Sequence, residues 1–298
     1  MIKVLTNRYE ANHKNISLPA PFIVPLFAEP SKDQLEQLKN GDGNPIGEIY
    51  QINSSAGLAF NYYKLFECEM QKEHKNFEVK FEDKVAKPLC LKKGGLPVNI
   101  DVSYILDNTQ YYIESKFLEP YYCVLKPNTN SYKNLDKQGK TLSYNNYQFS
   151  VEETKIWLAL LEHEKTFKHF DFHQLYRHLL AIRRKHNKQG KVILQSASWK
   201  MPEQFKDAYI KVHKLDNKTK EKFYNKFINE FKEITEELEK EEQRCEYLFN
   251  YFLKYEIGWK DCSFEIKHYN DREMLNAFAN SPKYDEFCKQ YFLDKENG

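Results

Sequence analysis

The stretch NIDVSYILDNTQYYIESKF, residues 99–117, constrains this chain more than any other. Two short apolar runs flank the dipeptide DN, a pattern that predicts two strands joined by a tight turn. Side chains alternate faces along a strand. Asn99, Asp101 and Ser103 therefore share one face of the first strand. Tyr112, Glu114 and Lys116 share one face of the second. With the faces aligned across the hairpin, Asp101, Glu114 and Lys116 converge.

Two readings fit that convergence. A cross-strand ion pair on a sheet face is the simpler one. The other is a metal site that hydrolyses a phosphodiester. Such a reaction needs a hard cation at the scissile phosphate and at the attacking water. Asp101 and Glu114 supply carboxylates for Mg²⁺, with Mn²⁺ as a substitute, and the backbone carbonyl of Ser115 supplies a further oxygen. Lys116 orients the water or helps to deprotonate it, and stabilises the developing charge. The apolar flanks VNIDVSYI and YYIESKF favour an interior setting, where acids seldom sit without a use.

The rest of the chain predicts a mixed α/β fold, an α+β mixed sheet flanked by helices. SKDQLEQLKN reads as a short helix capped by Ser31, and GDGNP as a turn. INSSAGLAFNYYKLFECE predicts a mostly buried helix over 55–67. FEVKFED and KVILQSASW read as strands. SVEETKIWLALLEHEKTF is a helix candidate. DFHQLYRHLLAIRRKHNKQG is a stronger one, capped by Asp171 and stopped near Gly190. Residues 1–44 form a proline-punctuated arm with a short helix, and 45–202 the core. Residues 203–298 form a mainly helical extension packed on the core. In it, Phe223, Phe227, Phe231, Ile234 and Leu238 make an apolar stripe that resumes at Leu248, Phe249 and Phe252 after a polar gap. FEIKHYN reads as a late strand and REMLNAFANSPKYDEFCKQYF as a terminal helix.

Composition excludes little. The 298 residues suffice for a sizeable core, and 30% charged with 41% hydrophobic residues is an ordinary globular balance. A formal charge of +2 argues neither for nor against nucleic acid, because local patches matter more than the sum. The start MIKVLTNRYEANHKN has no apolar core of a signal peptide, and no window approaches a membrane span. Six widely spaced cysteines without CxxC point away from zinc and disulfides, and towards a cytoplasmic, reducing setting.

The hairpin resembles the core of the PD-(D/E)XK nuclease superfamily, the restriction-endonuclease-like fold. IESKFLEP matches the ExK half. Asp101 of NIDVSY matches the acid of the other half, with Ile100 in place of the proline. INSSAGLAFNYY, VNIDVSYI, YYIESKFLEP and FHQLYRHLLAI, in that order over roughly 45–200, are similar to a family of bacterial restriction-endonuclease-like proteins. The resemblance implies Asp101 and Glu114 as metal ligands and Lys116 as the catalytic lysine. It also implies a further acid near the first core helix, for which Glu48 and Glu82 are the candidates. Glu67 and Glu69, at the helix exit, read as solvated. Glu119 supports the site or caps the strand.

On the helix from Phe172, the resemblance places Gln174 near the site, ordering Lys116 or holding a phosphate. His178 lies four residues on, on the same face, with Arg177 beside it. Arg183, Arg184 and Lys185 form the clearest basic cluster, suited to phosphates or to a solvated helix end. Ser54 and Ser55 cap a helix, or its N-terminus receives a phosphate.

The expected activity is thus metal-dependent endonucleolytic cleavage of double-stranded DNA, of restriction or defence type. A two-fold duplex invites a homodimer. A repair, recombination or mobile-element nuclease on the same fold is the nearest alternative. A noncatalytic nucleic-acid-binding or scaffold protein that presents the long charged helix is the alternative from another class.

Overall fold

A computed structural model describes residues 26–41, 45–50, 54–86, 97–117, 119–122, 134–135, 141–143, 167–201 and 218–291. The predicted hairpin forms from β2 (Asn99–Leu106) and β3 (Thr109–Lys116), paired antiparallel with Val102 opposite Ile113 and Tyr104 opposite Tyr111. Asp107 and Asn108 make the turn, both left-handed at φ 48° and 59°. Two left-handed residues give the turn whose twist matches that of paired strands, and Asp and Asn tolerate the conformation best after glycine.

Around the hairpin stands a five-stranded sheet in the order β1 (Val79–Lys84), β2, β3, β6 (Lys191–Ser198), β7 (Cys262–His268), while β4 (Asn134–Leu135) and β5 (Thr141–Ser143) pair in a separate two-stranded one. β1 is antiparallel to β2. β6 is parallel to β3, and β7 is parallel to β6. Parallel neighbours need crossovers, and helices supply them. α5 (Phe172–His186) links β3 to β6, and α6 (Lys218–Tyr251) links β6 to β7. The chain is therefore a mixed α/β protein, with helices on both faces of the sheet. Residues 218–291 do not stand apart, since β7 completes the sheet.

α3 (Ser55–Met70) covers one face, three residues longer at its end than the sequence pattern predicts. Its Tyr62 ring packs on Tyr269, Phe278 and Phe287 from the chain's C-terminal part. There the expected terminal helix is two short ones, α7 (Arg272–Asn276) and α8 (Tyr284–Gln290), separated around Pro282. α5 and α6 cover the other face. α5 ends at His186 rather than at Gly190, because Asn187 turns left-handed at φ 49° and stops it.

Both sheet edges are closed by side chains. At β7, the N–H groups of Phe264, Ile266 and His268 donate to Asn250, Glu246 and Asp271. At β1, the N–H of Val79 donates to Glu67 and that of Phe81 to Gln37 of α1 (Lys32–Lys39). Glu67 is therefore buried, not solvated as its place at a helix exit suggested, and it also accepts from Gln34 and Lys64. An edge whose donors are already bonded offers no template for a further strand.

The polar gap in the long helix is filled by acids. Glu241 and Glu242 are buried on the same side as Leu238, Cys245 and Phe249. Glu241 accepts the backbone N–H groups of Lys168, His169 and Phe170 at 2.6–2.9 Å, and so fixes the entry to α5. The side chains of Phe223 and Phe227, and residues 150–166 of the helix candidate, lie outside what the structure describes. Cys68, Cys245, Cys262 and Cys288 form no disulfide, while Cys90 and Cys123 also lie outside.

Candidate active site

The β2–β3 ladder closes from the turn to Val102 and Ile113, then gives way to side chains. One step further the same register sets Asp101 opposite Glu114. There the Ser115 N–H donates to Asp101 Oδ2 at 2.7 Å, and the Phe117 N–H to Glu119 Oε2 at 2.8 Å. Two carboxylates thus replace the strand partner at this end of β3. Glu119, which opens the short helix α4 (Glu119–Tyr122), takes the strand-capping role.

On the α5 side of the sheet, Glu114 is 2% exposed and its Oε1 accepts from Lys116 Nζ at 2.8 Å. Lys116 Nζ also donates to Gln174 Oε1 at 2.6 Å. Gln174 is held by its own N–H, which donates to the capping carboxylate of Asp171 at 3.0 Å. Of the two roles read for Gln174, ordering the lysine is the one its position performs. His178, one turn further, faces Glu114, with Nδ1 3.4 Å from Oε2, and is only 4% exposed. It is turned to the acid and not to a phosphate at the surface.

The electrostatics are those of crowded acids with one cation. Burial and the neighbouring Glu114 push the Asp101 carboxyl up to about 8. Burial also raises Glu114, against the pull of Lys116. Burial alone would lower Lys116, but Glu114 and Asp101 outweigh it and hold the ammonium charged. His178 is driven down to about 3 by burial and by Lys116 and Arg177, so it is neutral. Deprotonation of water by Lys116 is disfavoured while both acids press on it. Orientation and charge stabilisation remain.

Among the described residues, no three His, Cys, Asp or Glu side chains gather as a metal cluster. The expected third acid does not join the pair. Glu48, at the end of α2 (Pro45–Glu48), is exposed, and burial and the nearby Glu119 raise its carboxyl. Glu82 lies across from Asp101 but takes a left-handed φ of 51°, and its side chain packs on Gly41.

Even so, the donors present suit a hard divalent cation. Glu114 Oε2 is buried without a hydrogen-bond partner, and burial and Glu114 raise the Asp101 carboxyl, a penalty that a bound cation would relieve. A strand residue directs its N–H and C=O to the same edge, so the Ser115 carbonyl is turned towards Asp101 as well. Two carboxylates and a carbonyl are oxygen ligands of the kind Mg²⁺ takes, with water completing the shell.

The remaining candidates divide between structure and surface. Ser54 is buried and its hydroxyl accepts the Gly57 N–H as helix cap. The Ser55 carbonyl accepts from the Ser115 hydroxyl, which also bonds the Tyr269 hydroxyl at 2.8 Å. Ser54 thus caps the helix, and Ser55 holds the back of β3 through its carbonyl. Arg177 and Lys185 are exposed, and Arg183 and Arg184 are half-buried. Lys185 lies 3.8 Å from Asp83 and over the Tyr112 ring.

One polar row escaped the sequence pattern. Ser198 pairs with Lys116 across β3 and β6, and with His268 across β6 and β7. Its hydroxyl meets His268 Nδ1 at 2.8 Å and Glu242 Oε1 at 3.0 Å. Burial raises Glu242 to about 7 and lowers His268 to about 4. Strand periodicity places Ser196 and Ser198 on the face of Glu114 and Lys116, but nothing local signals that a helix acid will meet them.

Among the described residues, no helix is long and apolar enough to cross a membrane. No family model matches the chain, and no curated protein and no solved structure matches it.

Proposed function

We propose that the chain is a divalent-metal-dependent endonuclease that hydrolyses phosphodiester bonds of double-stranded DNA, on a restriction-endonuclease-like core. One observation carries this reading: Asp101, Glu114 and Lys116 meet at the opened end of a hairpin, with Gln174 fixing the lysine. The order of helix, three antiparallel strands, helix and parallel strand agrees with it.

The residues divide the work. Asp101 and Glu114 would hold Mg²⁺ or Mn²⁺, which supplies Lewis acidity to the phosphate and to bound water. Glu114 and Gln174 take two of the three donors on Lys116. The third is left to orient the attacking water or to meet a non-bridging phosphate oxygen, from a side chain that keeps 22% exposure. Two hydrogen-bonded anchors fix the ammonium to within the tolerance that in-line attack requires. Arg177, which is exposed, would meet the phosphate backbone. A role in restriction or defence, as opposed to repair or mobile-element processing, turns on which DNA is cut.

The test is cleavage of supercoiled, linear, branched and single-stranded DNA in Mg²⁺ or Mn²⁺, by wild type, Asp101→Ala and Lys116→Ala. Metal-dependent nicking or cutting of duplex by wild type, lost in both variants, is expected. Wild-type protein that binds neither metal and cuts none of these substrates overturns the reading. Equal cleavage by the variants overturns the site.

A further inference from the structure

Four large hydrophobic side chains are exposed among the described residues, and three of them form one ladder. Tyr247, Tyr251 and Tyr255 are 69%, 40% and 63% exposed and follow one another at four-residue spacing on the outer face of α6 and its extension. The Tyr247 and Tyr251 rings stack with centroids 6.3 Å apart and planes inclined by 26°. Tyr251 and Tyr255 are 5.1 Å apart at 45°.

The backbone keeps these rings in line. Four residues of α-helix overshoot one turn by about 40°, so a tyrosine every fourth residue drifts around the helix. After Tyr251 the helix widens into a π-helical turn, Phe252–Ile257. Four residues then fall short of a turn, and Tyr255 swings back towards the line of Tyr247. Meanwhile Phe252, Leu253 and Ile257 stay buried beneath.

Cations continue the stripe. Lys240 and Arg244 precede Tyr247 at helical spacing and are exposed, and Lys254 Nζ lies 4.9 Å over the Tyr255 ring. Exposed acids bound the stripe at both ends: Glu236 lies one turn before Lys240, and Glu256 and Asp261 follow the last ring, with the exposed Lys260 between them. Exposed rings interleaved with cations suit a chain that offers flat bases and phosphates together, which is unpaired nucleic acid. A duplex keeps its base faces stacked inside and offers these rings nothing flat.

We infer that the outer face of α6, from Lys240 to Tyr255, binds single-stranded nucleic acid by stacking bases on Tyr247, Tyr251 and Tyr255. The surface is separate from the acids of β2 and β3, so the inference stands whether or not those acids cleave DNA.

Fluorescence anisotropy of a labelled oligothymidine with the full chain in EDTA tests it, because chelation removes any cleavage. Wild type is expected to bind with marked salt dependence. Tyr247→Ala with Tyr251→Ala should weaken binding by about tenfold or more, while the paired Phe substitutions bind like wild type. Arg244→Gln with Lys254→Gln should weaken binding and flatten its salt dependence. These side chains point outward, and circular dichroism checks that each variant folds. Absent binding by wild type, or equal affinity in the paired alanine variant, overturns the inference. A wild-type dimer that the alanine variant reduces to monomer overturns it too, and assigns the face to a second copy of the chain.

Discussion

Lys116 Nζ lies 2.6 Å from Gln174 Oε1, so a charge carried by β3 is positioned by a side chain of α5. The contact spans the crossover between the two parallel strands and joins the candidate chemistry to the fold. Gln174→Leu removes the acceptor and keeps the volume. Loss of one hydrogen bond to a charged group predicts destabilisation of about 1.5–3 kcal/mol, read from urea midpoints. A misplaced ammonium predicts single-turnover cleavage slower by about a hundredfold, with DNA affinity little changed. Gln174→Glu, which keeps an acceptor oxygen, should recover most of the stability. A leucine variant that cleaves at the wild-type rate would remove Gln174 from the positioning of Lys116.

Asp101 makes a pH prediction. Its folded carboxyl titrates near 8, well above the ordinary value of about 3.9. The native state therefore holds a proton that the unfolded chain has already lost, and stability contributed by that proton falls as pH rises from about 4 to about 8. His178, lowered to about 3, acts in the opposite sense, but its effect is complete by about 6.5. Glu242 falls in the same sense as Asp101, so the measurement is a difference. In EDTA, urea midpoints of wild type should decline relative to Asp101→Asn between pH 6.5 and 8. Mg²⁺ should restore wild type at pH 8 and leave the variant unmoved. Parallel pH profiles would show that Asp101 is not the strained acid.

Glu241 predicts a purely structural effect. It is buried and accepts three backbone N–H groups at the start of α5. Glu241→Ala strands those donors, at a cost of about 2–4 kcal/mol after water satisfies some of them. Glu241→Gln keeps one acceptor oxygen and should lose less. Hydrogen exchange at residues 168–170 should quicken in the alanine variant before the rest of the chain is affected, because the entry to α5 loosens first.

The hairpin was legible because strand alternation is a local rule, and it set Glu114 and Lys116 on one face without knowledge of any neighbour. The caps at Ser31 and Asp171 were legible for the same reason. What escaped was settled by distant partners. Glu67 read as solvated because the β1 edge and Gln34 that bury it are not adjacent in sequence. Glu241 and Glu242 read as a break in an apolar stripe. Helical spacing already placed them between Leu238 and Cys245, and only the assumption that buried positions are apolar hid them. Glu82 escaped because a single left-handed residue re-aims a strand side chain, and alternation cannot foresee that. Gln174 came from resemblance, because its partner Lys116 lies on a strand that no local rule connects to α5.

Lys116→Met separates the metal-site reading from the ion-pair reading of the same three residues. In a plain ion pair, loss of the lysine leaves Glu114 buried and uncompensated, which destabilises the fold, and added Mg²⁺ changes nothing. In a metal site, the lost cation removes repulsion against Mg²⁺, and the carboxylates take the ion in its place. The variant should then show a larger thermal shift on Mg²⁺ addition than wild type, while cleavage falls by about a hundredfold to a thousandfold. Glu114→Gln should abolish both the shift and the cleavage. Scanning calorimetry with and without Mg²⁺ and a plasmid assay on the two variants read all four quantities. A Lys116→Met protein that Mg²⁺ does not stabilise would return Asp101, Glu114 and Lys116 to the role of a sheet-face ion pair.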